Sequence, residues 1–369
     1  MVPSFGADGG DPLAATASTG PVLLCGYYGE HNLGDDALLE ALLSLMPAGL
    51  PALVTAHDQA QVQQRFGVAT VPRRSLKAVL AALGGCRALV FGGGSLLQDA
   101  TSFRSLVYYG LLISAARLQG KPVLLWAQGL GPLRRRRSRL LVRALLPLVS
   151  GITWRDPDSA ALASQLGVRA PHGADAVWAL ESEPWRGGLN GEGGGGPIVV
   201  CWRPTPLLQG EAWRPYLQAL ELLAVAHDRE VCWLPFHGEQ DQALLDQLRA
   251  AGLVGAALLQ RSRVVQAADP RQAMALFSSA GLVVAMRLHA LILAGLSGAP
   301  VAALSYDPKV RSCAAGLGCP CHDLETPAFS QSLAASWEAA LDQPPAAAVI
   351  AAQRQATAVH RQLLDTLSA

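Results

Sequence analysis

The chain has 369 residues, of which 51% are hydrophobic and only 15% charged, with a formal net charge of +1. That length fits two domains of ordinary size with large apolar cores, and the near-neutral balance gives no global pull toward nucleic acid. Seven cysteines scattered through apolar segments suit a reducing cytoplasm and not a disulfide framework.

The first twenty residues have neither a basic n-region nor an apolar h-region, so they read as a disordered tail rather than a signal peptide. No later stretch reads as a transmembrane span, and a cytoplasmic protein is expected. Residues 21–25 (PVLLC) read as the first strand. The glycine-rich loop GYYGEHNLGDDALL follows, with Asp35 and Asp36 where a helix would start. One reading of this loop is a tight turn with Asp35 as helix N-cap. The other is a loop that lets a ligand reach the backbone, with Asn32 and Asp35 offering hydrogen bonds to hydroxyls.

Strands are expected at residues 52–55 and 68–71, a helix at 75–83, and a buried strand at 88–91 that runs into Gly92-Gly93-Gly94-Ser95. Bare amides at Gly93 and Gly94 would come to the sheet edge and could hold an anion or a sugar. A helix over 103–119 and a strand over 122–127 follow. Arg134 to Arg137, with Arg139 and Arg143, cluster at the start of the next helix. They read either as a solvated face or as a contact for an anionic membrane surface or a lipid-linked phosphate. The strand 151–154 ends at Arg155, a helix spans 159–166, and Asp175 follows a short buried piece. The run GGLNGEGGGG (187–196) reads as a flexible linker that divides the chain.

The second half restarts with a strand at 197–201 that ends near Arg203. A helix over 213–227 and a strand over 230–234 lead to His237, which reads as a loop residue or a further acceptor-site group, and Asp241 beside it, which could reach an acceptor. A helix over 241–251, a strand over 256–259 and a helix over 271–280 come next. Cys319-Pro-Cys321-His322 reads as a surface loop, since no second ligand pair lies nearby. Residues 328–369 read as helical, with the last helix packing back on the first domain. No internal repeat of fixed period appears.

The stretch from Gly281 to Lys309, GLVVAMRLHALILAGLSGAPVAALSYDPK, carries the sharpest signal. It reads as strand, helix and strand, and parallel strands joined by a helix end on one sheet edge. Arg287, His289 and Lys309 then converge there, two fixed cations and an imidazole at a helix start. This is a pocket for a small, multiply charged anion with a proton donor beside it. Alternating strands and helices in both halves predict an α/β protein with two doubly wound, Rossmann-like domains whose strand-end loops face across a cleft. The expected domains are 21–186 and 197–345, with the helix 346–369 returning to the first.

GYYGEHNLGDDALL, FGGGSLLQD, WRDPDS, the Arg203 strand end, MRLHALILA and SYDPK together resemble the polysaccharide pyruvyl transferase family over residues 21–345. The most similar branch resembles CsaB, which pyruvylates bacterial cell-wall polysaccharides. The resemblance implies a fold like the GT-B glycosyltransferases, phosphoenolpyruvate as donor, and an N-acetylmannosamine-type sugar, free or lipid-linked, as acceptor. No cofactor is expected, and no metal is required, since the cations would replace it. It makes His289 the general acid and Arg155, Arg287 and Lys309 ligands of the donor's phosphate and carboxylate, with Arg203 a further candidate. The expected reaction joins two sugar hydroxyls to C2 of phosphoenolpyruvate as a cyclic ketal and releases phosphate, with Asp35 or Asp175 as base. Two positions depart from the family pattern: Asp36 stands where Glu is expected, and the Trp of WRDPDS where a small residue is usual. A GT-B glycosyltransferase using a nucleotide sugar is the alternative, and a non-catalytic two-domain binding protein the next.

Overall fold

In the computed structural model, residues 20–100, 102–181 and 195–368 are described. The expected tail and linker fall outside these, apart from Gly20, Gly195 and Gly196. Two six-stranded parallel sheets organise the chain. The first holds β1 (Val22–Tyr28), β2 (Ala52–Ala56), β3 (Ala69–Pro72), β4 (Ala88–Gly92), β5 (Val123–Gln128) and β6 (Gly151–Trp154) in the order β3-β2-β1-β4-β5-β6. The second holds β7 (Ile198–Cys201), β8 (Val231–Trp233), β9 (Ser262–Val264), β10 (Leu282–Ala285), β11 (Val301–Ser305) and β12 (Cys321–Asp323) in the order β12-β11-β10-β7-β8-β9. Each is the doubly wound arrangement, with its switch point between the first and fourth strands of its half.

The central strands are apolar throughout because helices cover both faces of each sheet. Along β1, Val22 and Leu24 enter one core layer and Leu23 and Cys25 the opposite one. Val283 of β10 pairs in register with Val199 on one side and Val301 on the other. One core layer runs through both halves. It joins Leu38 and Leu42 of the Leu33–Leu45 helix to Phe277 of the Pro270–Ser278 helix and Leu291 of the Leu288–Leu296 helix. Polar stitches reinforce this seam: Leu33 N–H donates to the Phe236 carbonyl (2.9 Å), and Gly238 N–H to that of His31 (3.0 Å). Arg271 of the second half pairs with Glu40 of the first (2.6 Å).

The last helix, Ala358–Asp365, lies against β5 and β6 of the first sheet. His360 on it is fully buried, its ring 2.9 Å from the Thr153 hydroxyl and 2.7 Å from the Ala174 carbonyl. Trp126 of β5 donates to the His360 carbonyl (3.0 Å). Burial lowers the His360 pKa, so the neutral ring belongs in this setting.

Several sequence expectations are corrected. Residues 256–259 are not a strand but part of a helix, Ala256–Arg261, with Leu258 its one buried residue. Alanine, leucine and glutamine favour helix where one face is covered, and the strand comes afterwards as β9. The Cys319–His322 segment is not a loop throughout, because Cys321 and His322 open β12, the edge strand paired with β11. The expected helix over 241–251 divides into Gly238–Asp241 and Leu244–Ala250. The helix after β1 is capped by Asn32, whose side chain accepts from Gly34 N–H (3.0 Å), and not by Asp35. Asp35 and Asp36 occupy its first turn, where carboxylates complement the helix dipole. Two helices had not been expected, Gln59–Phe66 and Pro308–Leu317.

Candidate active site

The strand ends of the two sheets face a common cleft of about 1140 Å³. In the second half, β10 ends two residues before Arg287, whose backbone caps the Leu288–Leu296 helix and leaves His289 in its first turn. The guanidinium of Arg287 forks onto Asp241, Nε to Oδ2 at 3.1 Å and Nη2 to Oδ1 at 2.5 Å. Asp241 is itself buried and accepts backbone N–H bonds from Phe236 (3.1 Å) and His237 (2.9 Å). Gln240 Oε1 accepts from Arg287 (3.2 Å) and Arg203 (3.4 Å), linking the two cations. Arg203 also donates to the Tyr306 hydroxyl (3.2 Å), and the Lys309 ammonium sits 3.3 Å from Asp307, the N-cap of its helix.

The first half supplies the opposite wall. Arg155 Nη2 donates to the Ser95 hydroxyl (2.8 Å), and its other nitrogens meet Asp156 (3.3 Å) and Asp175 (3.5 Å). Gly129 makes room for this guanidinium, since a Cβ there would lie 2.7 Å from Arg155 Nη2. Asp175 Oδ2 also lies 3.6 Å from His289 Nε2, so one carboxylate faces a cation of the first half and the imidazole of the second. Burial alone would raise the Asp175 carboxyl. The neighbouring His289, the charge of Arg155 and the Val177 N–H outweigh burial and hold it well below the usual carboxylate range. His289 Nε2 is buried and makes no hydrogen bond among the described residues.

Helix packing brings the imidazole close to the first half. Gly34 lies directly against the ring: a Cβ at that position would stand 2.1 Å from His289 Nδ1. One residue on, Asp35 accepts from the Asn32 amide (2.7 Å). Burial raises the Asp35 carboxyl, against the pull of His289, Arg73, Lys309 and Arg287. Asp175 and Asp35 thus flank the same imidazole with pKa values pushed in opposite directions.

Of the residues singled out from the sequence, Asn32, Asp35, Gly94, Arg155, Asp175, Arg203, Arg287, His289 and Lys309 line the cleft. Three others do not. Asp241 is turned beneath Arg287 and serves that cation rather than an acceptor. His237 pairs through its backbone with Asn32 across the seam, and its buried Nδ1 makes no hydrogen bond among the described residues. Gly93 faces Leu38, where a Cβ would come within 2.7 Å of Leu38 Cδ2. Sequence reasoning missed Ser95, Gln240 and Tyr306, which hold the arginines. Ser95 stands in FGGGSLLQD, Tyr306 in SYDPK and Gln240 just before Asp241, but nothing local tells which cation each would meet. Among the described residues, no group of three His, Cys, Asp or Glu is placed to hold a metal ion. Nor is any helix among them long and apolar enough to cross a membrane.

A family model described as polysaccharide pyruvyl transferase matches residues 32–308. No curated protein matches the chain in sequence. Among solved structures, HepE of Anabaena, in complex with UDP and glucose, superposes with a TM-score of 0.61 at 15% identity, over 95% of this chain and 100% of that one. The UDP-GlcNAc 2-epimerase of Methanocaldococcus jannaschii gives 0.61 at 9% identity, over 94% and 99%. The enzyme of the same description from Neisseria meningitidis, bound to UDP-GlcNAc, gives 0.57 at 12% identity, over 94% and 100%. At such identities the likeness is one of fold: two Rossmann-like domains facing across a cleft, as in GT-B glycosyltransferases.

Proposed function

The chain belongs to the polysaccharide pyruvyl transferase family, and on that premise we propose that its cleft transfers the pyruvyl group of phosphoenolpyruvate to a diol of a saccharide. The product is a cyclic ketal, and phosphate is released. The observation that carries this reading is the gathering of Arg155, Arg203, Arg287 and Lys309 around His289 in one cleft. A three-carbon phosphate ester brings two anionic groups, and the planar guanidinium forks suit its carboxylate while the ammonium suits its phosphate. The cleft is far larger than that donor and has room for a sugar beside it.

His289 is the group that gives a proton to C3, because an imidazole can carry and release a proton, and the Asp175 carboxylate faces its Nε2 at 3.6 Å. Protonation turns the methylene into a methyl and leaves cationic character at C2. A sugar hydroxyl attacks C2, and Asp35 takes its proton. Asp35 suits that step because burial raises its carboxyl, whereas Asp175 is held ionised by His289, Arg155 and the Val177 N–H and is a poor base. Phosphate then leaves from C2 as an anion held by the arginines and Lys309. The second hydroxyl closes the ketal, and its proton departs with phosphate, so the proton count balances. The acceptor we favour is an N-acetylmannosamine-type sugar of an envelope polysaccharide precursor.

The nucleotide complexes among the structural neighbours favour one rival, transfer from a nucleotide sugar. The two separate in one experiment. The protein is incubated with saccharide acceptors and either phosphoenolpyruvate or UDP-sugars, while phosphate, nucleotide and product mass are followed. Phosphate release with a pyruvyl mass on the acceptor supports the proposal. Nucleotide release without phosphate release moves the reading to glycosyl transfer.

A further inference from the structure

From Gln59 to Arg155 the chain carries fifteen Lys and Arg and a single acidic residue, Asp99. With the whole chain at +1, the positive charge is concentrated in this segment. Asp99 does not answer it from the surface: it is buried, and its carboxylate accepts the backbone N–H bonds of Arg134 and Arg135 (both 2.9 Å). Two helices of the segment, Phe103–Leu118 and Arg136–Leu145, lie side by side. Arg137 covers the Phe103 ring at 4.1 Å, and Leu145 packs on Gly110.

Their outer face is exposed and mixed in a particular way. Arg104, Arg117, Arg136 and Arg143 stand in solvent, and their guanidiniums make no hydrogen bond or ion pair to any described residue. Between them project Leu111, Leu118 and Leu140, which are 47%, 89% and 66% exposed. Leu111 and Leu118 are seven residues apart and so share one stripe of their helix. Arg134, just before the second helix, already lines the cleft, so this face begins at the cleft's rim.

We propose that this two-helix face docks on the surface of an anionic phospholipid bilayer, with the mouth of the cleft held beside the membrane. Charge complementarity and the leucines choose this occupant. Unpaired arginines are drawn to anionic headgroups, and aliphatic side chains between them enter the boundary beneath. Nucleic acid would use the same charges but gains little from aliphatic leucines; single strands look for exposed aromatic platforms, and Phe103 lies under Arg137. Docking here would present to the cleft an acceptor carried on a lipid.

The test is sedimentation of the full chain with vesicles of phosphatidylcholine alone or mixed with phosphatidylglycerol. Binding is expected only to the mixed vesicles and should weaken as salt rises. Joint replacement Arg117→Ala, Arg136→Ala and Arg143→Ala should lower the affinity at least about tenfold. The pair Leu118→Gln and Leu140→Gln should lower it while keeping the salt dependence. Both variants should melt like the wild type, since every replaced side chain is exposed. Equal capture by the two vesicle types, no capture at all, or wild-type binding by the triple variant would overturn the proposal. So would retention on an RNA oligonucleotide without retention on vesicles.

Discussion

Arg155, Arg203 and Arg287 on one side, and Arg104, Arg117, Arg136 and Arg143 on the other, set the same side chain in two opposite environments. Deep in the cleft three guanidiniums are tied: Arg287 to Asp241, Arg155 to Ser95 and Asp175, Arg203 to Tyr306 and Gln240. On the two-helix face none of the four has a partner among the described residues. Withdrawal from water explains the difference. A buried cation without a partner costs several kcal/mol, so these three arginines must be paired, and pairing aims them. Exposed arginines stay hydrated, need no partner, and remain free to meet a diffuse anionic surface. Tied arginines build a site with one geometry; free ones build an attraction.

That contrast predicts large losses from small changes in the cleft. The largest follows from His289→Ala. If His289 delivers the proton to C3, turnover should fall about 10²- to 10⁴-fold while donor binding is largely kept. Stopped-flow phosphate release and equilibrium binding of phosphoenolpyruvate read the two separately. Near wild-type ketal formation would remove the imidazole from the mechanism.

Gly34→Ala should come next. The added methyl would stand 2.1 Å from His289 Nδ1, so the ring must move. A displacement of that order should cost about 10²-fold in rate. Helix propensity itself favours alanine over glycine by roughly 1 kcal/mol, so any loss of stability would come from the contact with the ring. Activity lost far out of proportion to any fall in melting temperature is the expected signature. Wild-type activity in a well-folded Gly34→Ala protein would show that the ring's position is not critical.

Asp241→Asn tests the tied state directly. It replaces a buried anion under Arg287 with a neutral amide that cannot accept both fork bonds, so the guanidinium loses its aim. Apparent donor affinity should fall about 10- to 100-fold, as expected for lost hydrogen bonds to a charged group. The kcat should change less. An unchanged KM for phosphoenolpyruvate would mean that Arg287 does not hold the donor.

Strand ends were legible in the sequence because each is an apolar run that stops at a polar residue. Arg155, Arg203, Arg287 and Lys309 all follow such runs, and parallel topology puts each at the C-terminal edge of its sheet. Partnerships were not legible. Arg287 meets Asp241 across 46 positions and Arg155 meets Ser95 across 60, and no periodicity encodes such pairs. Asp241 therefore read as a residue for the acceptor. Weakly covered elements were also hidden: the Gln59–Phe66 helix buries only Val62, and β12 is three residues at a sheet edge. The cap at Asn32 was misplaced because Asn32, Asp35 and Asp36 are all good capping residues and local sequence does not rank them.

A smaller effect concerns pH. Asp175 has a folded pKa below its unfolded value near 3.9. Its charge therefore contributes stability that is fully present above about pH 4 and is lost as pH falls toward the depressed folded pKa. Asp175→Asn should be less stable than the wild type at neutral pH. The gap should shrink by about 1 kcal/mol for each pH unit below 4. A gap independent of pH, in chemical denaturation from pH 7 to pH 3, would show that Asp175 acts through packing instead of charge.

The smallest effect is expected on the two-helix face, and it sharpens the contrast most. Arg136→Ala with Arg143→Ala should leave phosphoenolpyruvate affinity, and turnover on a short water-soluble acceptor, within about twofold of wild type, because neither side chain lines the cleft and salt screens exposed charges. Arg134 is different: it lines the cleft, so Arg134→Ala should raise the KM for the acceptor without touching vesicle binding as strongly. Kinetics of the double and single variants on the same soluble acceptor check both statements. A double variant as impaired as Arg134→Ala on that acceptor would mean that the rim arginines belong to the site, and the division between aimed and free guanidiniums would have to be drawn further from the cleft.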